Sequence, residues 1–119
     1  MARILVVDDD AVNRELFRWA LQERHEVDEL TSGVGAAEAI RTGEYDLVLL
    51  DVMMPIIGGE EVVSELAETG EPLLRKVLVV TAALNPALAD RLKEQGVADV
   101  KQRPYDPEEI AELVQAYVA

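Results

Sequence analysis

No cysteine occurs among the 119 residues, so a disulfide framework and zinc or redox chemistry built on thiolates are excluded. Basic side chains are also scarce. The 11 lysines and arginines stand against 24 aspartates and glutamates, a formal net charge of −13. A field of that sign repels phosphate backbones, so direct binding of nucleic acid is not expected. Apolar runs are short: none approaches the ~18 residues of a membrane span, and the first residues lead into a strand pattern instead of a secretory signal. The expectation is therefore a soluble, cytoplasmic, untargeted chain with no membrane association. At 50% hydrophobic content, residues 1–119 suit one domain with its own core and no need of a structural metal.

What the chain does contain is a set of apolar runs that each end on a residue able to handle phosphate or a cation. Ile4-Leu5-Val6-Val7 stops at Asp8-Asp9-Asp10, Leu47-Val48-Leu49-Leu50 at Asp51, and Val77-Leu78-Val79-Val80 at Thr81. Runs so short and β-branched read as buried parallel strands, and open α/β sheets bind ligands beyond the carboxyl ends of such strands. A weaker second strand falls at Glu26–Leu30 and a fifth at Ala98–Gln102.

Between the strands lie helical patterns. One carries Leu16, Phe17, Ala20 and Leu21 on a stripe. Another is rich in small residues from Ala36 to Ile40, between Gly35 and Gly43. A third follows Gly58-Gly59, with Val62, Val63 and Leu66 inward. Asn85-Pro86 starts a fourth and Gly96 ends it, while Asp106-Pro107-Glu108-Glu109 caps a last helix that buries Ile110, Leu113, Val114 and Tyr117. Five β-α units with right-handed crossovers predict a flavodoxin-like, doubly wound sandwich with strand order 2-1-3-4-5.

Gathering Asp8, Asp9 and Asp51 creates a like-charge cluster that a hard cation must neutralise, and Mg2+, which prefers oxygen ligands, is the natural guest. With charge offset in this way, a carboxylate can attack a phosphoryl group. Asp51, alone at the tip of the central run, is the best candidate nucleophile. Thr81 could donate its hydroxyl to a phosphoryl oxygen, and a cation near Pro104 could hold another.

Asp8-Asp9 after strand one, Asp51-Val-Met-Met-Pro55 with Gly59 and Glu61 behind it, Thr81-Ala82, and a basic residue before Pro104-Tyr105 together resemble the receiver domain of bacterial two-component response regulators. The likeness runs from about Arg3 to the last helix. It implies that Asp51 is the phospho-acceptor and Asp9 a direct metal ligand. Asp8 would act through water, the main-chain carbonyl of Met53 would complete the ligand set, and Thr81 with Ala82 would bind and read the phosphoryl group. Pro104 would be the place for a cis peptide. The implied partners are a sensor histidine kinase or phosphotransfer protein as donor and a downstream effector beyond the surface of helix four, strand five and helix five. A phosphorylation-dependent homodimer is one state this reading allows. Such a domain catalyses only its own phosphorylation and dephosphorylation and is not a turnover enzyme.

Three departures stand out. Arg103 occupies the family's lysine position, with Lys101 two residues earlier as a second candidate. Val100 stands where an aromatic switch residue is usual, and Tyr105 matches a different aromatic. Met53 and Ala83 offer no polar side chain to orient a hydrolytic water, which predicts slow self-dephosphorylation. Two other functions fit parts of the pattern: a phosphorylation-independent receiver-like adaptor, and a haloacid-dehalogenase-like phosphohydrolase built on Asp8-x-Asp10. Asp10 reads better as a helix cap. Lys101 reads as edge-strand protection, His25 as solvated surface, and Trp19 as boundary packing, with partner docking as its minority reading.

Overall fold

The computed structural model describes all residues except Met53, Pro55, Thr69, Gly70, Glu71, Ala83, Leu84, Pro104, Tyr105 and Ala119. Five strands, β1 (Arg3–Val7), β2 (Glu26–Leu30), β3 (Leu47–Asp51), β4 (Val77–Thr81) and β5 (Asp99–Gln102), alternate with five helices, α1 (Ala11–Leu21), α2 (Ala36–Thr42), α3 (Gly59–Glu68), α4 (Pro86–Gln95) and α5 (Pro107–Val118). All strand pairs are parallel, in the order β2-β1-β3-β4-β5, as the sequence pattern predicts.

The central strands are apolar at nearly every position because both faces of the sheet are covered. Side chains alternate across a strand. Leu5, Val7, Val48, Leu50, Val77 and Val79 therefore pack with Ile40, Val62, Val63, Leu66 and Leu92, the inward residues of α2, α3 and α4. Ile4, Val6, Leu47, Leu49, Leu78 and Val80 point the other way, onto Phe17, Leu21, Ile110 and Val114 of α1 and α5. Each such buried aliphatic side chain contributes about 1.5–3 kcal/mol. Two hydrophobic layers thus clamp one sheet, and its carboxyl edge is left open for chemistry.

The helix ends follow the capping logic of the sequence. Asp10 accepts a hydrogen bond from the Val12 amide at 2.9 Å, Asn85 accepts from Ala87 and Leu88, and Asp106 accepts from Glu108 at 2.8 Å. Gly96, at φ 120°, closes α4 in a conformation that disfavours a side chain.

Two surface expectations need correction. His25 is only 9% exposed, and its Nδ1 accepts the amide hydrogen of Ala2 at 3.0 Å. Its burial goes with pairing to Ala2, 23 residues away and just ahead of β1, which no local charge pattern reveals. Trp19 is 65% exposed instead of packed at a boundary. It lies about 200° around α1 from buried Phe17, on the side away from the core. The chain also forms a 3-10 turn at Pro72–Lys76 that buries Leu74, and β5 begins one residue later than expected.

Candidate functional site

The carboxyl ends of β1 and β3 are adjacent, with Val7 opposite Leu50 in the ladder, so Asp8 and Asp51 leave the sheet side by side. Asp9 follows directly, before Asp10 turns the chain into α1. One carboxylate oxygen from each of Asp8, Asp9 and Asp51 lies within 4.8 Å of the others. Asp8 and Asp51 are buried and Asp9 is exposed, so the cluster has a floor and an open rim. A cleft of about 230 Å³ opens over it, lined by Asp8, Asp9, Asp10, Asn13, Asp51, Ala82 and Arg103.

Each wall of the cleft has a local cause. Asp8 is steadied by the Asp10 amide, which donates to its Oδ1 at 2.9 Å, while Arg14 donates to its main-chain oxygen at 2.8 Å. Burial pushes the Asp8 carboxyl above the usual aspartate range, although the Asp10 amide and the Arg103 guanidinium pull the other way. Behind Asp51, the start of α3 comes so close that a Cβ on Gly59 would collide with the Asp51 main-chain oxygen. The Gly59 amide donates to Val52 O at 3.0 Å. Glycine here lets the helix seat directly against the loop that follows the aspartate.

Thr81 is buried at the end of β4, and its main-chain oxygen accepts the Arg103 amide at 2.6 Å. That contact carries Arg103 toward the cleft. Its Nη2 lies 3.3 Å from Asp51 Oδ1 and 3.6 Å from Asp8 Oδ2. Lys101 turns elsewhere, with Nζ 3.3 Å from Asp99 Oδ2. Of the two basic candidates, the structure brings Arg103 to the aspartates. A shared face for the pair requires the strand to remain regular through position 103, but β5 ends at Gln102.

Asp10 lines the cleft while its carboxylate caps α1, in keeping with its cap reading. Asn13 is the lining residue that the sequence reading missed. Its signal was present as a position one helical turn beyond Asp9, on the first turn of α1. Val100 is buried opposite Val79, so the aliphatic side chain that stands where an aromatic is usual packs into the core. The expectations for the Met53 carbonyl, Ala83, the Pro104 peptide and Tyr105 lie outside the described residues.

The cleft therefore offers three oxygen donors suited to a hard divalent cation, a buried hydroxyl at the neighbouring strand end, and a guanidinium beside the central carboxylate. Such a combination handles a charged phosphoryl group. The family model for the response regulator receiver domain matches residues 4–115. The chain belongs to that family of phospho-accepting switch domains.

The transcriptional regulatory protein PcoR of Escherichia coli is 34% identical over 117 residues, covering 96% of this chain and 50% of that protein. Response regulator MprA of Mycobacterium ulcerans (strain Agy99) is 38% identical over 117 residues, covering 96% and 49% respectively. The chain thus spans about half the length of these curated relatives. Among solved structures, the chemotaxis protein CheY4 of Vibrio cholerae superposes with a TM-score of 0.85 at 25% identity, over 98% of both chains. The receiver domain of the putative response regulator NarL of Mycobacterium tuberculosis gives 0.77 at 28% identity, over 97% of this chain and 94% of that one.

Proposed function

We propose that Asp51 is the phospho-acceptor of a Mg2+-dependent signalling switch, charged by a phosphohistidine on a sensor histidine kinase or phosphotransfer protein. The observation that carries this reading is the convergence of Asp8, Asp9 and Asp51 on one point beside Arg103. Their oxygens fit a hard cation, and burial makes ionised Asp8 costly without one. Asp9, Asp51 and the Met53 main-chain oxygen would hold Mg2+, with Asp8 reaching it through water. When bound, the ion offsets charge on the phosphoryl oxygens.

In the transfer, a carboxylate oxygen of Asp51 forms the new O–P bond as the N–P bond of the donor breaks. The imidazole nitrogen keeps the bonding electrons and takes a proton from solvent. Arg103 meets one phosphoryl oxygen, while the Thr81 hydroxyl and the Ala82 amide hold another. Asp51 then bears an acyl phosphate, and movement of the loops after β4 and β5 toward it alters the α4, β5 and α5 surface that a downstream effector reads. Incubation with Mg2+ and acetyl phosphate, followed by mass spectrometry of proteolytic fragments, tests the assignment. Modification on Asp51 that Asp51→Asn abolishes is expected, and modification confined to other residues would overturn it.

The adaptor reading retains one specific support, the buried Val100 at the aromatic position. An Asp51→Ala variant that kept full partner binding and output would favour it.

A further inference from the structure

Asp8 is fastened to the edge strand β2 through both ends of its main chain. Its amide donates to Leu30 O at 3.1 Å, and its carbonyl oxygen accepts a hydrogen bond from Arg14 Nη1 at 2.8 Å. Arg14 is itself tied to β2, with Nε 3.5 Å from Glu29 Oε1, while Arg18 Nε donates to the other oxygen of that carboxylate at 2.6 Å. Glu29 and Leu30 stand opposite Val6 and Val7 in the ladder, so this anchor is level with the end of β1. The Arg14 side chain, 16% exposed, spans from strand to loop. The oxygen it holds belongs to the planar peptide unit that joins Asp8 to Asp9, and fixing that plane fixes the direction in which both residues leave it. The Asp9 side chain is exposed, so its aim depends on the backbone that carries it.

We propose that Arg14 is a positioning residue for metal binding: braced on Glu29, its guanidinium holds the peptide between Asp8 and Asp9 so that both carboxylates meet the ion together with Asp51. The inference rests on the receiver reading and adds to it a residue of α1 that does not line the cleft. Arg14 acts through the main chain, and its contact with the Asp8 oxygen is charge-assisted, roughly twice as strong as a neutral hydrogen bond. Arginine suits the task because its fork presents separate N–H groups to two acceptors, Nη1 to the carbonyl and Nε toward Glu29, where a lysine ammonium is one compact point. Partners that orient metal ligands without touching the metal typically carry about 10–100-fold in affinity. Acting through a single peptide plane puts Arg14 at the lower end of that range.

Isothermal titration of the unphosphorylated protein with MgCl2 tests this, comparing wild type with Arg14→Met, Arg14→Lys, Glu29→Gln and the double variant of Arg14→Met with Glu29→Gln. Methionine keeps an apolar stem and good helix propensity but none of the donors. Arg14→Met should bind Mg2+ about tenfold more weakly. In metal-free protein its Asp10 amide, whose acceptor is Asp8 Oδ1, should exchange hydrogen faster. The Mg2+ concentration for half-maximal phosphorylation by acetyl phosphate should rise in step, with a smaller change in the plateau rate, a split that general loss of packing does not produce. Arg14→Lys keeps one of the two contacts and should fall between, and it carries the test alone if Arg14→Met does not fold. Glu29→Gln should weaken binding less than Arg14→Met, and the double variant should match Arg14→Met. Mg2+ affinity equal to wild type in the arginine variants, or losses that simply add in the double variant, would overturn the positioning role while leaving the receiver reading intact. No Mg2+ binding by the folded wild type, or binding unchanged in Asp51→Asn, would overturn the receiver reading itself.

Discussion

The Tyr117 hydroxyl donates a hydrogen bond to Asp99 Oδ2 at 3.1 Å, tying the last turn of α5 to the edge strand β5. Lys93 of α4 reaches Oδ1 of the same carboxylate at 3.3 Å and Lys101 reaches Oδ2, so three elements of the proposed output surface meet at one side chain. Burial pushes the Asp99 carboxyl up, but the Val100 amide, the Tyr117 hydroxyl and the two lysines outweigh it and hold the carboxyl below the usual range. A depressed folded pKa stabilises the protein above the ordinary aspartate range, and that contribution is lost as pH falls through the folded value. Tyr117→Phe should cost about 1 kcal/mol in urea unfolding, and Asp99→Ala about 1–3 kcal/mol because it strands several donors. Equal stability of both variants and wild type would show that the three elements do not depend on this junction.

Asp8 behaves in the opposite sense. Its folded pKa is raised, chiefly by burial, so the native state holds the proton more tightly than the unfolded chain does. Stability from this group is present at acid pH and is lost as pH rises through the folded value. At neutral pH and without a divalent cation, Asp8→Asn should therefore raise the melting temperature, since an amide oxygen can still accept the Asp10 amide hydrogen. The same variant should lose most of the stabilisation that Mg2+ confers on wild type. A lower melting temperature in metal-free buffer would contradict the cost assigned to the buried charge.

The cleft carboxylates show what a one-dimensional pattern can and cannot carry. The positions of Asp8 and Asp51 were legible because each closes an apolar run, and parallel topology forces the ends of β1 and β3 together. The caps at Asp10, Asn85 and Asp106 were legible because capping is local chemistry. The choice between Arg103 and Lys101 was not, since it depends on where β5 ends and on Asp99 capturing Lys101. His25 was hidden because its partner is the main-chain amide of Ala2, distant in the sequence and just ahead of β1.

That partner gives His25 a pH signature. Burial, the N-terminal ammonium and Arg24 lower its pKa, with Asp46 opposing them. Nδ1 accepts a hydrogen bond in the native state, so the neutral ring is the folded form. The unfolded chain binds the proton first, and stability should decline as pH falls below about 6.5 until the folded ring itself titrates. Melting temperatures between about pH 7.5 and about pH 5.5 measure this. His25→Asn, whose side-chain oxygen can replace Nδ1, should flatten that part of the profile. An unchanged slope in the variant would assign the dependence to other groups.

Trp19 stands clear of the core on α1 and lines one surface cleft with Val12, which is also exposed. Large exposed aromatics supply anchoring energy at interfaces, and truncating such an anchor costs about 2 kcal/mol or more. Trp19→Ala should slow phosphotransfer from the cognate kinase at limiting concentration by roughly tenfold or more. Its phosphorylation by acetyl phosphate, which needs no docking, should remain at the wild-type rate. Equal loss with both donors would point to a damaged cleft, and no loss with either would remove Trp19 from the docking surface.

Ile56 combines a φ of 68° with 84% exposure in the loop between β3 and α3. A β-branched residue in left-handed backbone carries steric strain of about 1–2 kcal/mol, and an exposed side chain recovers little of it through packing. Glycine relieves the strain but adds freedom to the unfolded chain, about 0.5–1 kcal/mol in the other direction. Ile56→Gly should therefore stabilise the protein by roughly 0.5–1 kcal/mol in urea unfolding. Because the loop leads from Asp51 to the close approach of Gly59, the rate of phosphorylation by acetyl phosphate reads whether the strain serves the site. A variant that is more stable yet slower to accept a phosphoryl group would show that the left-handed isoleucine holds the loop in its working shape. A less stable variant would mean that Ile56 is held by contacts worth more than its strain.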